Sequence, residues 1–402
     1  MPDPQSPIRN PQSAIDSLCF RTRAIHVGNA PDPATGAVVR PLHLAATYVQ
    51  PGSGEWGEFD YSRSGNPTRK ALETTLASLE SGCGALAFSS GMAAIHAVTM
   101  LLKPGDHIVA GTDIYGGTYR LLHKIVSKND IQVTLADSTD LAALREAITP
   151  RTALVWIETP GNPRMTITDI SACADLAHQH GALLGVDNTF ATPALTRPLE
   201  LSADITMHSA TKYLGGHSDL LGGALIVRDQ QLFDRLYFIQ NATGAVLGPL
   251  ESFLCSRGLK TLELRIREQS RTAARLAEYL QSHQAVQHVF YPGLPDHPGH
   301  PLAARQMDAD FGAMVSFEIA GDLAAARRVV ERTRLFQLAV SLGAVESLIE
   351  QPAAMSHASY DAADRQAHGI SDSLIRISVG LEAYEDLRAD LRQAIDIPGN
   401  LG

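Results

Sequence analysis

Between Ala85 and Val227, short apolar runs alternate with stretches of helical period. The runs are Ala85–Phe88, His107–Ala110, Ile131–Ala136, Thr152–Ile157, Ala182–Val186, Ile205–Met207 and Ala224–Val227. Runs this short, apolar on consecutive residues, suit strands buried on both faces. Alternation with helices predicts an α/β fold whose large domain carries a mainly parallel seven-stranded sheet, covered by helices on both sides. Just upstream, Leu72, Leu76 and Leu79 fall on one face of a helix. Downstream, 247–281 reads as one long helix. After it, Val286–Tyr291, Ala313–Ile319 and Leu374–Val379 suggest a smaller C-terminal α/β domain. The expected division is a tail and extended arm over 1–60, a large domain over 61–255 and a small domain over 256–402. The arm is rich in Gly and Pro and shows no long helical period.

Composition narrows the function classes. The net charge is −10 and no basic tract is present, which gives nucleic-acid binding no electrostatic support. The four cysteines, Cys19, Cys83, Cys173 and Cys255, form no C-x-x-C pair. That argues against a zinc site or a disulfide framework and fits reduced thiols in the cytoplasm. No metal is expected. No run approaches about 18 apolar residues, so no membrane span is expected. Residues 1–20 lack the apolar core of a secretory signal and are expected to form a flexible tail.

Three strand ends carry chemistry. Ser89-Ser90-Gly91-Met92 follows the first apolar run and opens a helix. Small residues there present free N–H groups and the positive end of a helix dipole, which suits a phosphate, although an ordinary turn reads the same way. Gly82-x-Gly84-x-x-Ala87 matches a loose dinucleotide pattern, but it precedes a strand rather than following one. Asp187 closes another apolar run, where open α/β sheets bind ligands; an N-cap is the plainer reading. Ser209-Ala210-Thr211-Lys212 follows a third run and brings two hydroxyls and an amine; alone, Lys212 reads as a surface lysine. Together they match what pyridoxal phosphate needs: donors for its phosphate, an acid for its ring nitrogen and an amine for its aldehyde. Tyr115, beyond the second run, could stack on the ring.

With these residues in view, the chain resembles the trans-sulfuration family of pyridoxal-phosphate enzymes of cysteine and methionine metabolism. The resemblance runs from about Thr22 to Ile397. It is carried by Tyr61-Ser-Arg63-Ser-Gly-Asn66-Pro67-Thr68, Ser89-Ser-Gly91-Met92, Tyr115-Gly-Gly-Thr-Tyr-Arg120, Asp187-Asn-Thr189, Ser209-Ala-Thr211-Lys212-Tyr213, Ser341-Leu-Gly-Ala-Val-Glu346-Ser347 and Arg376-Ile-Ser-Val-Gly380. It implies a fold type I enzyme, with Lys212 holding the cofactor covalently and later shuttling protons. It places Asp187 on the pyridine nitrogen, and Gly91, Met92, Ser209 and Thr211 on the phosphate. By the same resemblance Thr189 joins this cofactor set, Tyr115 stacks on the ring and is a candidate base, and Asn162 lies near the ring oxygen. Arg376 is expected to clamp the substrate carboxylate, with Arg120, Ser341, Glu346 and Ser347 completing the substrate site. Tyr61 and Arg63 are expected to reach the phosphate of a neighbouring subunit, so the arm becomes an intersubunit element of a homotetramer.

The resemblance leans toward cystathionine γ-lyase chemistry, with γ-synthase chemistry as the alternative. Gly117 stands where methionine γ-lyases usually carry cysteine. Glu346 is an acid that sulfhydrylases usually lack, expected near the distal amino group of cystathionine. Ser356 stands where many relatives have threonine. A silent cofactor-binding regulator would be expected to lack Lys212 or Arg376, and both are present. A nicotinamide oxidoreductase would rest on the misplaced glycine pattern alone.

Overall fold

The computed structural model describes residues 18–356 and 369–396. The tail expected over 1–20 lies almost wholly outside them. Among the described residues the first element is a short helix, Phe20–His26, inside the segment expected to be extended. Its seven residues carry no long repeat, so the periodicity gave no sign of it. From there to Asp60 the arm makes only isolated bridges, such as Thr47 with Tyr61.

The larger sheet has seven strands: β1 (Gly84–Phe88), β2 (His107–Gly111), β3 (Gln132–Ala136), β4 (Thr152–Glu158), β5 (Leu183–Asp187), β6 (Ile205–Ser209) and β7 (Gly223–Val227). They lie in the order β1-β7-β6-β5-β4-β2-β3. Only β7 runs against the others. It pairs antiparallel with both β1 and β6, so β1 points the same way as β2 to β6. Successive side chains of a strand face opposite sides. In β4, Val155 and Ile157 enter one apolar core while Leu154 and Trp156 enter the other. Both faces are therefore covered, which explains why the runs are continuously apolar. Among the described residues, no helix is long and apolar enough to cross a membrane.

The stretch read as one helix is two: Pro249–Leu259 and Leu262–Gln281. The break leaves helix-end carbonyls without intrahelical donors. Arg265 takes up one of them, donating to the Gly258 carbonyl at 2.9 Å while its other terminal nitrogen donates to the Tyr213 carbonyl at 2.9 Å. The break thus fastens the second helix to the turn that carries Lys212, a link that side-chain periodicity does not encode.

The smaller sheet contains β8 (Val286–Phe290), β9 (Met314–Ile319), β10 (Gln337–Leu338), β11 (Leu348–Glu350) and β12 (Leu374–Ser378), in the order β10-β11-β12-β9-β8. The three expected runs are β8, β9 and β12. β10 and β11 have two and three residues, too few for any pattern. Gly84 of the discounted glycine pattern opens β1, where a Cβ would stand 2.5 Å from the Phe233 ring. That glycine answers to packing rather than to a ligand.

Candidate active site

Because β1, β2, β4, β5 and β6 are mutually parallel, their C-terminal ends share one edge of the sheet. This is where an open α/β sheet leaves a crevice. Ser90-Gly91-Met92 follows β1, Tyr115 follows β2, Asn162 follows β4, Asp187 closes β5, and Ser209 closes β6 just before Lys212.

Ser90 caps the helix Gly91–Thr99: its Oγ accepts from the N–H of Ala93. The N–H groups of Gly91 and Met92 head that helix with no intrahelical acceptor. Backbone closeness fixes the turn. A Cβ on Gly91 would stand 2.9 Å from Met207 Cε, and one on Gly223 would collide with the Ser90 carbonyl. Tyr115 caps the next helix, Gly116–Lys124, and its ring is half exposed. A Cβ on Gly117 would collide with that ring and stand 2.9 Å from Met92 Sδ. The aromatic ring therefore lies beside the phosphate-type turn, over a position that only glycine leaves open.

At β5, Thr189 donates to Asp187 Oδ1 twice, from its N–H at 3.1 Å and its hydroxyl at 2.5 Å. The same hydroxyl accepts from the Ser209 N–H at 2.9 Å, which ties the ends of β5 and β6 together. Burial pushes the Asp187 carboxyl above its ordinary pKa, and the Thr189 bonds oppose this. Thr211 exchanges bonds with the Gly222 backbone, accepting from its N–H at 3.0 Å. Beneath this rim, His208 Nε2 meets Glu80 Oε1 at 2.5 Å, and Asn188 Nδ2 donates to the same oxygen at 3.1 Å, all three side chains buried.

Lys212 Nζ donates to Ser341 Oγ at 2.5 Å. Burial first, then the Arg376 charge, lowers the amine to a pKa of about 8, with Glu350 acting the other way. Ser341 has φ 100°, a conformation costly for any residue with a Cβ. Gly343 has φ 81°, and a Cβ there would stand 2.7 Å from the Tyr213 backbone nitrogen. The loop of the smaller sheet thus closes tightly over Lys212. Arg376, on β12, is buried. It donates to Asn162 Oδ1 at 2.8 Å and to the Ser341 carbonyl at 3.2 Å, and pairs with Glu350 Oε1 at 3.0 Å.

Lys212, Asp187, Thr189, Ser209, Asn162, Tyr115 and the Gly91–Met92 turn, with Arg376, are thereby brought to one rim. The remaining expected residues differ in exposure and partners. Tyr61 and Arg63 are exposed: the guanidinium lies 5.6 Å from the Tyr61 ring centre and donates to the Asn241 carbonyl at 2.7 Å. Arg120 is exposed on its helix, and Glu346 is exposed on the loop before β11. Ser347 is fully buried, and its hydroxyl is engaged with Glu382 and the Gly380 N–H, each at 2.8 Å.

Two carboxylates at the rim escaped the sequence reading. Glu158 is in register with Asp187 across β4 and β5 and accepts from the Tyr115 N–H at 2.7 Å. Burial, then the neighbouring Asp187 charge, raises its pKa well above the ordinary range. The signal that marks Asp187, an acid closing an apolar run, is present at Glu158 as well. Glu350 ends a three-residue strand and carries no such signal.

The donor set fits pyridoxal phosphate: free N–H groups at a helix start, an aromatic ring beside them, a buried carboxyl at the next strand end but one, and an amine of reduced basicity. Comparison with known proteins agrees. Residues 21–396 match the family described as Cys/Met metabolism PLP-dependent enzyme. The chain is 52% identical over 376 residues to cystathionine γ-synthase of Mycobacterium tuberculosis, covering 93% of this chain and 96% of that protein. It is 48% identical over 388 residues to cystathionine β-lyase of Coxiella burnetii, covering 96% and 99%. The crystal structure of cystathionine γ-lyase from Lactobacillus plantarum complexed with L-serine superposes with a TM-score of 0.91 at 46% identity, covering 94% of this chain and 98% of that one.

Proposed function

The chain belongs to the Cys/Met-metabolism family of pyridoxal-phosphate-dependent enzymes, and on that footing we propose γ-elimination on L-cystathionine as its reaction, giving cysteine, 2-oxobutanoate and ammonia. The observation that carries the proposal is the meeting of Lys212, Asp187 and Arg376 at one rim. When bound, the cofactor supplies an electron sink for negative charge at substrate carbons.

The chain's own groups account for the rest. The lowered basicity of Lys212 gives it a usable neutral fraction near pH 7, both to hold the cofactor and to take a proton from the substrate α-carbon. Ser341 gives that amine a fixed resting place. Thr189 orients the Asp187 carboxyl toward one role, ion-pairing with a protonated ring nitrogen. Gly91, Met92, Ser209 and Thr211 supply phosphate donors, Tyr115 stacks, and Asn162 serves both the ring oxygen and Arg376. Arg376 offers the fork that a substrate carboxylate matches in bidentate fashion. Arg120, Glu346 and Ser347 are assigned to the substrate side, with Glu346 meeting the distal ammonium of cystathionine.

Tyr61 and Arg63 are assigned to a neighbouring subunit's phosphate, within a cytoplasmic homotetramer. Exposed apolar side chains of the arm support the assembly: Val38, Leu44, Val49 and Trp56 are largely open to solvent in the single chain.

γ-Replacement on an acylhomoserine by cysteine is the second reading, favoured by the name of the mycobacterial relative. One assay separates the two: cystathionine alone against acylhomoserine plus cysteine. Faster release of 2-oxobutanoate from cystathionine supports the lyase, and faster cystathionine formation transfers the proposal to the synthase. Glu346→Ala bears on the shared substrate. It is expected to lower kcat/KM for cystathionine by roughly 10- to 150-fold, the worth of a charge-assisted hydrogen bond, and to spare substrates without a distal amine. Equal losses on both would reject that contact.

A further inference from the structure

Arg376 does not wait for a carboxylate in isolation; it already has one. Glu350 faces it across the β11–β12 register, and the two side chains are 1% and 4% exposed. The contact is one-sided: a single Glu350 oxygen, Oε1, meets Arg376 at 3.0 Å. That oxygen also accepts from the Ser356 hydroxyl at 2.6 Å. The second oxygen, Oε2, is buried and has no hydrogen-bond partner among the described residues. A buried carboxylate oxygen left unsatisfied is costly, so a pairing built for stability alone would be expected to use both oxygens. A single-oxygen contact is also weaker than the two-point contact an arriving carboxylate can make with the same fork.

We propose that Glu350 is the resident counter-ion of Arg376 and sets the affinity of this site for carboxylates. It holds the guanidinium against Asn162 and Ser341 while no carboxylate is bound. Its negative charge then opposes the carboxylate that arrives. Glu350 is a positioning residue: it acts through Arg376 and is not asked to touch the reacting atoms. The inference rests on the reading of Arg376 as the substrate-carboxylate site.

The test uses the full-length, cofactor-loaded protein and propionate, a carboxylate without an amine that could react with the cofactor. Propionate dissociation constants are measured by competition with the amino-acid substrate and by thermal shift. Glu350→Gln keeps the shape and removes the charge, so propionate is expected to bind about tenfold tighter, as follows from deleting one like charge a few ångströms away in a partly buried site. KM for the amino acid should fall by a similar factor without a matching rise in kcat, because the gain is in ground-state binding. Glu350→Asp retains the charge but draws it back, and should fall between the two; it carries the test alone if the glutamine variant does not fold. In an Arg376→Ala background, the change at Glu350 should have no effect on propionate binding. Unchanged or weaker propionate binding in folded Glu350→Gln, or in Glu350→Asp where the glutamine variant does not fold, overturns the proposal and leaves the role of Arg376 standing. Propionate binding and KM that ignore Arg376→Ala overturn the reading beneath it as well.

Discussion

At Lys212 the ordinary basicity of an amine is reduced chiefly by burial and next by the Arg376 charge, to a pKa of about 8. Between pH 8 and the usual 10.5, the unfolded chain holds a proton that the folded chain has released. The cofactor-free protein should therefore gain stability from this group as pH rises through that window. The same shift predicts that covalent capture of pyridoxal phosphate speeds up with pH around a midpoint near 8. Stopped-flow absorbance on the cofactor-free protein measures it, and a midpoint near 10.5 would show that the surroundings leave the amine unaltered. Lys212 and Asp187 were legible in the sequence because each sits at the end of an apolar run, where α/β sheets bind ligands. Glu350 was not, since its partner Arg376 lies 26 residues away in sequence and only the β11–β12 register brings them together. Ser341 was found by resemblance alone; nothing in its neighbours announces a φ of 100°.

The loop before β11 is the element that joins the smaller sheet to Lys212, and its geometry depends on Gly343. That residue combines a positive φ of 81° with a backbone approach to Tyr213 that leaves no room for a Cβ. Gly36 is a useful contrast: its φ is 72°, but nothing lies within 4 Å of its would-be Cβ. Gly36→Ala should cost only the left-handed backbone penalty, about 1 kcal/mol in denaturant unfolding. Gly343→Ala should cost more, on the order of 3 kcal/mol, and should also weaken cofactor retention by moving Ser341 away from Lys212. Equal costs, or intact cofactor retention in Gly343→Ala, would mean that the loop does not set the lysine's position. Among elements, the strands of the larger sheet were readable because burial on both faces writes itself as unbroken apolar runs. The helix Phe20–His26 was too short to show a period. The split of the long helix depends on Arg265 reaching Gly258 and Tyr213, which is tertiary information.

At the scale of the whole molecule, one reversed strand keeps β1 parallel to β2, β4, β5 and β6, so that five segments distant in sequence open on one rim. Tyr61 and Arg63 are assigned to a neighbour. Subunit mixing tests that division of labour. Arg63→Ala and Lys212→Ala proteins, each inactive alone, should regain partial activity after exchange, because some hybrid sites then combine an intact lysine with an intact arginine. No recovery despite demonstrated exchange would place both residues in the service of the same chain. Whether the Lys212 amine, just beyond β6, is the cofactor's point of attachment is measured directly by borohydride reduction of the loaded protein, followed by digestion and mass mapping. A pyridoxyl adduct is expected on the peptide containing Lys212 and none in Lys212→Ala. An adduct on another lysine, or undiminished trapping in Lys212→Ala, would contradict attachment at Lys212.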